Sequence, residues 1–164
     1  MVLERGVMAG SRYNNAGINK MIQILQHLTD DWEEIAGRAV YEGSKIIADK
    51  VKQNIQALPV TDQWGTEEHP RHGVTRVEKQ GLLDGFGIAD MIDSGGYINT
   101  LSGFDDAGYN ADGKANRLVA RATQSGTTFS DKIPFFENAV RATRRQATQK
   151  MKEILEQEIE NLQR

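Results

Sequence analysis

Residues 30–59 read DDWEEIAGRAVYEGSKIIADKVKQNIQALP, and this stretch decides the fold. Trp32, Ile35, Ala36, Ala39, Val40, Ile46, Ile47, Val51, Ile55 and Leu58 recur at helical spacing, which lines apolar side chains along one face. Asp30 and Glu33 stand three apart in the manner of a capping box, and Asp31 and Glu34 add negative charge to the first turn. Lys45, Lys50 and Lys52 lie toward the far end, where the helix dipole favours cations. Pro59 disfavours the α conformation in the residue before it, so the helix should stop at Leu58. The spacing predicts a helix of roughly seven turns. Gly37 and Gly43 inside it each cost about 1 kcal/mol against alanine, which implies close packing on another backbone or a bend.

Outward toward the C-terminus, a second long stripe opens after Pro134, a residue suited to the first turn of a helix. Phe135, Phe136, Ala139, Val140, Ala147, Met151, Ile154, Leu155, Ile159 and Leu162 fall on one side of a helix running nearly to the last residue. Toward the N-terminus, Ile18, Met21, Ile22, Leu25 and Leu28 predict a helix of about three turns. Residues 1–17 are small and polar and read as an arm that is flexible alone or ordered by a neighbour, leaving residues 18–164 as one domain. Between the long helices, residues 60–73 read as a polar loop and Thr75 to Asp84 as a short helix with Val77 and Leu82 or Leu83 inward. Phe86, Ile88 and Ile92, then Tyr97 to Phe104, flank the turn residues Asp93-Ser94-Gly95-Gly96 and read as a β-hairpin. Asp105 to Asn116 is a glycine-bearing loop, and Arg117 to Gln124 a short helix ended by Ser125-Gly126. Two long amphipathic helices packed on a small antiparallel β-sheet or hairpin make the fold class α+β.

Composition narrows the function. The 164 residues are 38% apolar with 16 further glycines, enough for a core, yet 26% are charged. Formal net charge is −3, so nothing global attracts nucleic acid or anionic lipid, although local patches are compatible with that balance. With no cysteine, thiolate metal sites, disulfides and cysteine nucleophiles are excluded. Met1 to Gly10 lack the apolar run of a signal peptide, and no stretch approaches the roughly 18 apolar residues of a membrane span.

The constellations that resemble chemical sites are weak. Asp62, Glu67, Glu68, His69 and His72 suggest a metal-dependent nuclease or hydrolase loop, but Pro70 separates the histidines and the segment also reads as a solvated loop. Asn110, Asp112 and Gly113 echo part of a calcium loop, yet Gly108 and Val119 stand where the first ligand and the bidentate glutamate belong, so a plain turn is the better reading. No Gly-Lys-Ser, Gly-Lys-Thr or Gly-x-Ser-x-Gly element occurs, and His27, His69 and His72 show no nucleophile partner. The sequence therefore assigns no catalytic, metal or cofactor residues.

Surface features point to association. Trp64, Tyr97, Tyr109 and Phe129 lie in or beside predicted loops, as local core or as anchors of subunit contacts. Arg141, Arg144 and Arg145 share one side of the last helix, either as a solvated face or as a ridge for DNA phosphates or an acidic partner. Glu153, Glu156, Glu158 and Glu160 crowd its end, where the dipole disfavours them. Such a helix suits either solubility or pairing of its basic and acidic sections with those of a neighbouring copy.

A run of motifs in the last third adds a resemblance. Asn116 to Thr127, ending in Ser125-Gly126-Thr127, is followed by Ile133-Pro134-Phe135-Phe136 with Ala139. This order resembles the gene-product-ten family of HK-type phages, whose members are tail-completion or minor tail proteins with a Glu-Phe-Gly-Thr or Ser-Gly-Thr element and then a Pro-Phe-hydrophobic-x-x-Ala motif opening a long C-terminal helix. Gly85 to Met91, Gly96 to Asn99 and Gly103-Phe104-Asp105 look like the version found in phages and prophages of low-GC Gram-positive bacteria. The resemblance spans roughly residues 18–162, including the helix that ends at Leu58-Pro59. The family often has Thr-Gly-x-Leu soon after that proline, whereas here Val60 to Gly65 opens a longer insertion before Gly81-Leu82-Leu83.

The resemblance implies a virion protein without catalytic residues or cofactor, assembled in the bacterial host cytoplasm into a homo-oligomeric, typically six-fold ring. Its partners would be other neck, tail-tube or tail-terminator proteins, with no membrane and with DNA only as passing genome. Pro134, Phe135, Phe136, Ala139 and Val140 are then the core anchor of the last helix, packing on the sheet and on the long second helix.

Overall fold

The two long apolar stripes close on each other. In the computed structural model, which describes residues 16–93, 98–162 and Arg164, helix α2 (Trp32–Gln56) runs antiparallel to the C-terminal helix (Phe135–Leu162). The pairing is fixed along its length: Arg38 bridges Glu158, Gly43 lies beside Ala147 and Met151, and the Asn54 side-chain amide donates to the Phe135 carbonyl at 2.8 Å. The sequence implied that Gly37 and Gly43 mark close packing on another backbone, or a bend. At Gly43 the neighbour is the long helix itself, through Met151 and the Ala147 carbonyl, whereas at Gly37 it is the side chain of Met91.

In chain order, α1 (Ala16–Leu28) precedes α2, and α3 (Arg76–Gly85) leads into strands β1 (Phe86–Ile88), β2 (Ile92–Asp93), β3 (Ile98–Asn99) and β4 (Ser102–Phe104). Helices α4 (Asn116–Ser125) and α5 (Phe135–Leu162) complete the chain. The expected hairpin is present as two antiparallel ladders, β1 with β4 and β2 with β3. Phe86 faces Phe104 and Ile88 faces Ser102, while Ile92 faces Asn99, a slip of one residue between the ladders. At the slip, Ala89 N–H donates to the Leu101 carbonyl at 2.7 Å and the Thr100 hydroxyl donates to the Ala89 carbonyl at 2.6 Å. Residues 94–97, which include the expected turn and Tyr97, lie outside the described residues, as do residues 1–15 of the expected arm. Ala16 and Gly17 of that arm belong to α1.

The core has two parts. One joins the C-terminal half of α2 to α3, β1, β4, α4 and the start of α5, through Val51, Ile55, Val74, Leu82, Phe86, Phe104, Phe135 and Ala139. There Phe86 meets Phe104 at 5.3 Å and Phe136 at 6.2 Å, and Phe104 meets Phe135 at 6.5 Å, all edge to face. Such pairs add about 0.5–1.5 kcal/mol each beyond burial, so the hairpin base is tied to the first turn of α5. Phe135 and Ala139 are buried and Phe136 and Val140 pack partly covered beside them, with Pro134 before them. The second part lies at the other end of the long pair, where Ile18 and Leu25 of α1 cover Ile35, Ala39, Met151 and Leu155.

The helix starts differ from expectation. Asp30 and Glu33 form no capping box; the N-cap is Asp31, whose side chain makes no cap bond. The reason is backbone conformation, since Asp31 has φ −92° and ψ 14° whereas a capping side chain needs an extended residue. Thr29 instead accepts a hydrogen bond from Asp31 N–H at 3.1 Å. A complete capping box occurs at α3, where the extended Thr75 pairs reciprocally with Glu78. Among the described residues no helix is long and apolar enough to cross a membrane.

Candidate functional site

Glu78 organises the loop end of the molecule. The capping box places its carboxylate at the first turn of α3, where Thr75 N–H donates to Oε2 at 3.0 Å. Arg71 Nη2 donates to the same oxygen and Lys114 Nζ to Oε1, both at 2.8 Å. Glu78 is 3% exposed, so an unpaired carboxylate here would be costly. Burial pushes its pKa up; the hydrogen bond from Lys114, that from Thr75 and the charges of Arg71 and Lys114 outweigh burial and hold it below its ordinary value. The carboxylate is thus ionised at neutral pH and joins the loop before α3 to the loop before α4.

Trp64 rests on this ion cluster, with Lys114 Nζ 4.9 Å and Arg71 Cζ 5.9 Å from its ring centre. The loop bearing Trp64 is stitched to a third loop: Arg71 N–H donates to the Phe129 carbonyl at 3.0 Å, and Asp131 N–H donates to the Arg71 carbonyl at 2.9 Å. Gly65 makes this approach possible, because a Cβ there would lie 1.9 Å from the Phe129 carbonyl oxygen. Tyr109 stands beside Asn110, whose N–H donates to the Lys114 carbonyl at 2.9 Å, so it belongs to the same framework. Trp64, Tyr109 and Phe129 are 76%, 65% and 57% exposed. Three of the four aromatic contact candidates are therefore surface side chains on loops joined through Arg71 and Lys114, and Tyr97 is outside the described residues.

The other candidates resolve by geometry. His72 Nδ1 lies 3.1 Å from an Asp131 carboxylate oxygen, His69 N–H donates to the Thr66 hydroxyl, and Asp62, Glu67, Glu68 and both histidines are exposed. Among the described residues no three histidine, aspartate or glutamate side chains are grouped to hold a metal ion. Asn110 Oδ1 accepts from Asp112 N–H at 3.1 Å and Lys114 N–H at 2.9 Å, and Gly113 has φ +73°, so that segment is the turn read from the sequence.

Arg141, Arg144 and Arg145 are exposed on α5, and the tertiary structure gives this ridge a context that the helix alone lacks. Antiparallel pairing sets the basic half of α5 beside the basic half of α2. Residues 45–58 and 135–149 together carry six cations (Lys45, Lys50, Lys52, Arg141, Arg144 and Arg145) against Asp49 and Glu137. At the opposite end, residues 30–44 and 150–162 carry nine carboxylates against Arg38, Lys150 and Lys152. Arg38 with Glu158, and Lys152 with Glu156, are ion pairs within the acidic half.

Sequence reasoning passed over Glu78, Arg71 and Lys114. The pattern Thr75-x-x-Glu78 was a legible sign of the capping box, but nothing local announced partners seven residues upstream and 36 downstream. No protein-family model, no curated protein and no solved structure matches the chain.

Proposed function

We propose that the chain is a structural virion protein, a tail-completion or neck component that acts by association of identical copies in a ring at the head-proximal end of a phage tail. The observation that carries this reading is the surface of Trp64, Tyr109 and Phe129. Large aromatic side chains concentrate binding energy at protein interfaces, and anchoring them beforehand reduces the entropy lost on association. Here the anchor is the buried Glu78 cluster and the backbone bonds between neighbouring loops. The motif residues support the same reading through their positions: Gly126 closes α4 with φ +76°, and Pro134 and Phe135 open α5 at the base of the hairpin. Those joints bracket the loop that carries Phe129.

The test has two readouts. Light scattering of the purified chain should show a defined oligomer, six-fold if the resemblance extends to symmetry, and peptides of the chain should occur in particles induced from the genome that encodes it. A chain that stays monomeric at every concentration and is missing from those particles defeats the reading. Trp64→Ala and Phe129→Ala should weaken the oligomer, each by about 2 kcal/mol or more if it is an anchor of the contact, while leaving the far-ultraviolet circular dichroism unchanged.

A further inference from the structure

We infer that copies of this chain meet through opposite halves of the α2/α5 pair, the basic half of one copy lying on the acidic half of the next. This rests on the ring reading above and adds a charged contact along the long helices to the aromatic contact of the loops. Charge distribution is its basis. An antiparallel pair in which basic halves face acidic halves would neutralise itself, but here like halves are adjacent, so the charges of the two helices add at each end. Arg38 with Glu158 and Lys152 with Glu156 neutralise only part of the acidic half. The charge there also opposes the helix dipole of α5, since its C-terminal turns carry Glu156, Glu158 and Glu160. Packed α1 brings only Lys20 and His27 to that end.

A second copy offers charge of the opposite sign to each half. The basic ridge Arg141, Arg144 and Arg145 is exposed, as are Glu153, Glu156 and Glu160, so both surfaces are accessible to a neighbour. Apolar area accompanies the acidic half, where Ile24, Leu28, Tyr41 and Leu162 are exposed hydrophobics that a neighbour would cover. Contact between two different patches is heterologous, so each copy keeps one basic and one acidic surface open until a ring closes.

The experiment uses the full chain and two charge-reversed variants, R141E/R144E/R145E and E153K/E156K/E160K, followed by light scattering and circular dichroism. R141E/R144E/R145E alone should be monomeric because both of its halves are then net negative, and E153K/E156K/E160K because its acidic half loses its net charge; an equimolar mixture should associate, the intact acidic half of the first lying on the intact basic half of the second. Wild-type association should also weaken at least about tenfold between about 50 mM and about 500 mM salt. Salt dependence serves as the deciding measurement if a triple variant fails to fold. Variants that assemble like the wild type, a mixture that stays monomeric, or association indifferent to salt overturn this inference and leave the ring reading standing. A wild-type chain that is monomeric throughout overturns this inference, and one that is also missing from the induced particles overturns both. Binding of a duplex DNA probe by the wild type, abolished by R141E/R144E/R145E and with no self-association, assigns the ridge to DNA and overturns the inference as well.

Discussion

Glu78 satisfies three donors with two carboxylate oxygens, and that arithmetic governs its mutational behaviour. Glu78→Gln removes the charge and replaces one acceptor oxygen with a donor, leaving Arg71 and Lys114 facing a neutral amide. Breaking a buried pair costs about 3–5 kcal/mol; because Lys114 is 36% exposed and water screens it, the lower end is expected in urea unfolding at pH 7. Because the folded pKa lies below the ordinary 4.5, the stabilisation is complete above that value and is lost as pH falls through the folded pKa. The stability gap between wild type and Glu78→Gln should therefore be constant from neutral pH down to about 5 and narrow below it. A gap that persists unchanged in acid would show that the charge is not what holds the loops. Gly65→Ala addresses the same surface by sterics: its Cβ would meet backbone atoms of Phe129 and Arg71, which cannot swing aside. A loss of about 2 kcal/mol and quenched or shifted Trp64 fluorescence should follow, as the loop is pushed off its neighbour.

At the scale of elements, the α-helical stripes were legible because 3.6-residue periodicity is a local property of the chain. The helix from about Thr75 to Asp84 is legible through the inward spacing of Val77 and Leu82, and the helix ended by Ser125-Gly126 through its turn residues. The start of α2 was not, because Asp30 and Glu33 have the right spacing but the cap depends on a backbone conformation that spacing does not reveal. The two glycines of α2 separate propensity from packing. Alanine at Gly37 meets only the end of the half-exposed Met91 side chain, which can move, so the helix should gain up to about 1 kcal/mol. Alanine at Gly43 would lie 2.5 Å from Met151 Cγ and 3.1 Å from the Ala147 carbonyl oxygen. Overpacking there costs about 1–3 kcal/mol and should cancel or exceed the propensity gain. Thermal melts of the two variants moving in the same direction would contradict this contrast.

The whole molecule is held by two core regions on one helical pair, and this division has a measurable consequence. Leu25 is fully buried where α1 covers Met151 and Leu155, whereas Val51 and Ile55 lie in the larger region at the other end. Leu25→Ala should cost about 2–5 kcal/mol locally and release α1, so its amides should exchange rapidly while those around Val51 and Ile55 remain protected. Uniform loss of protection across the chain would instead indicate a single cooperative unit. The α+β class, the two long helices, the short helices and the hairpin followed from the sequence by itself, because periodicity, proline and glycine act within a few residues of where they stand. Only the tertiary structure decided that the helices pair antiparallel with like charges adjacent, and that Glu78 joins Arg71 to Lys114 beneath Trp64. Those relations depend on distance in space between residues far apart in the chain, and burial gives them their strength; neither quantity is encoded in local spacing.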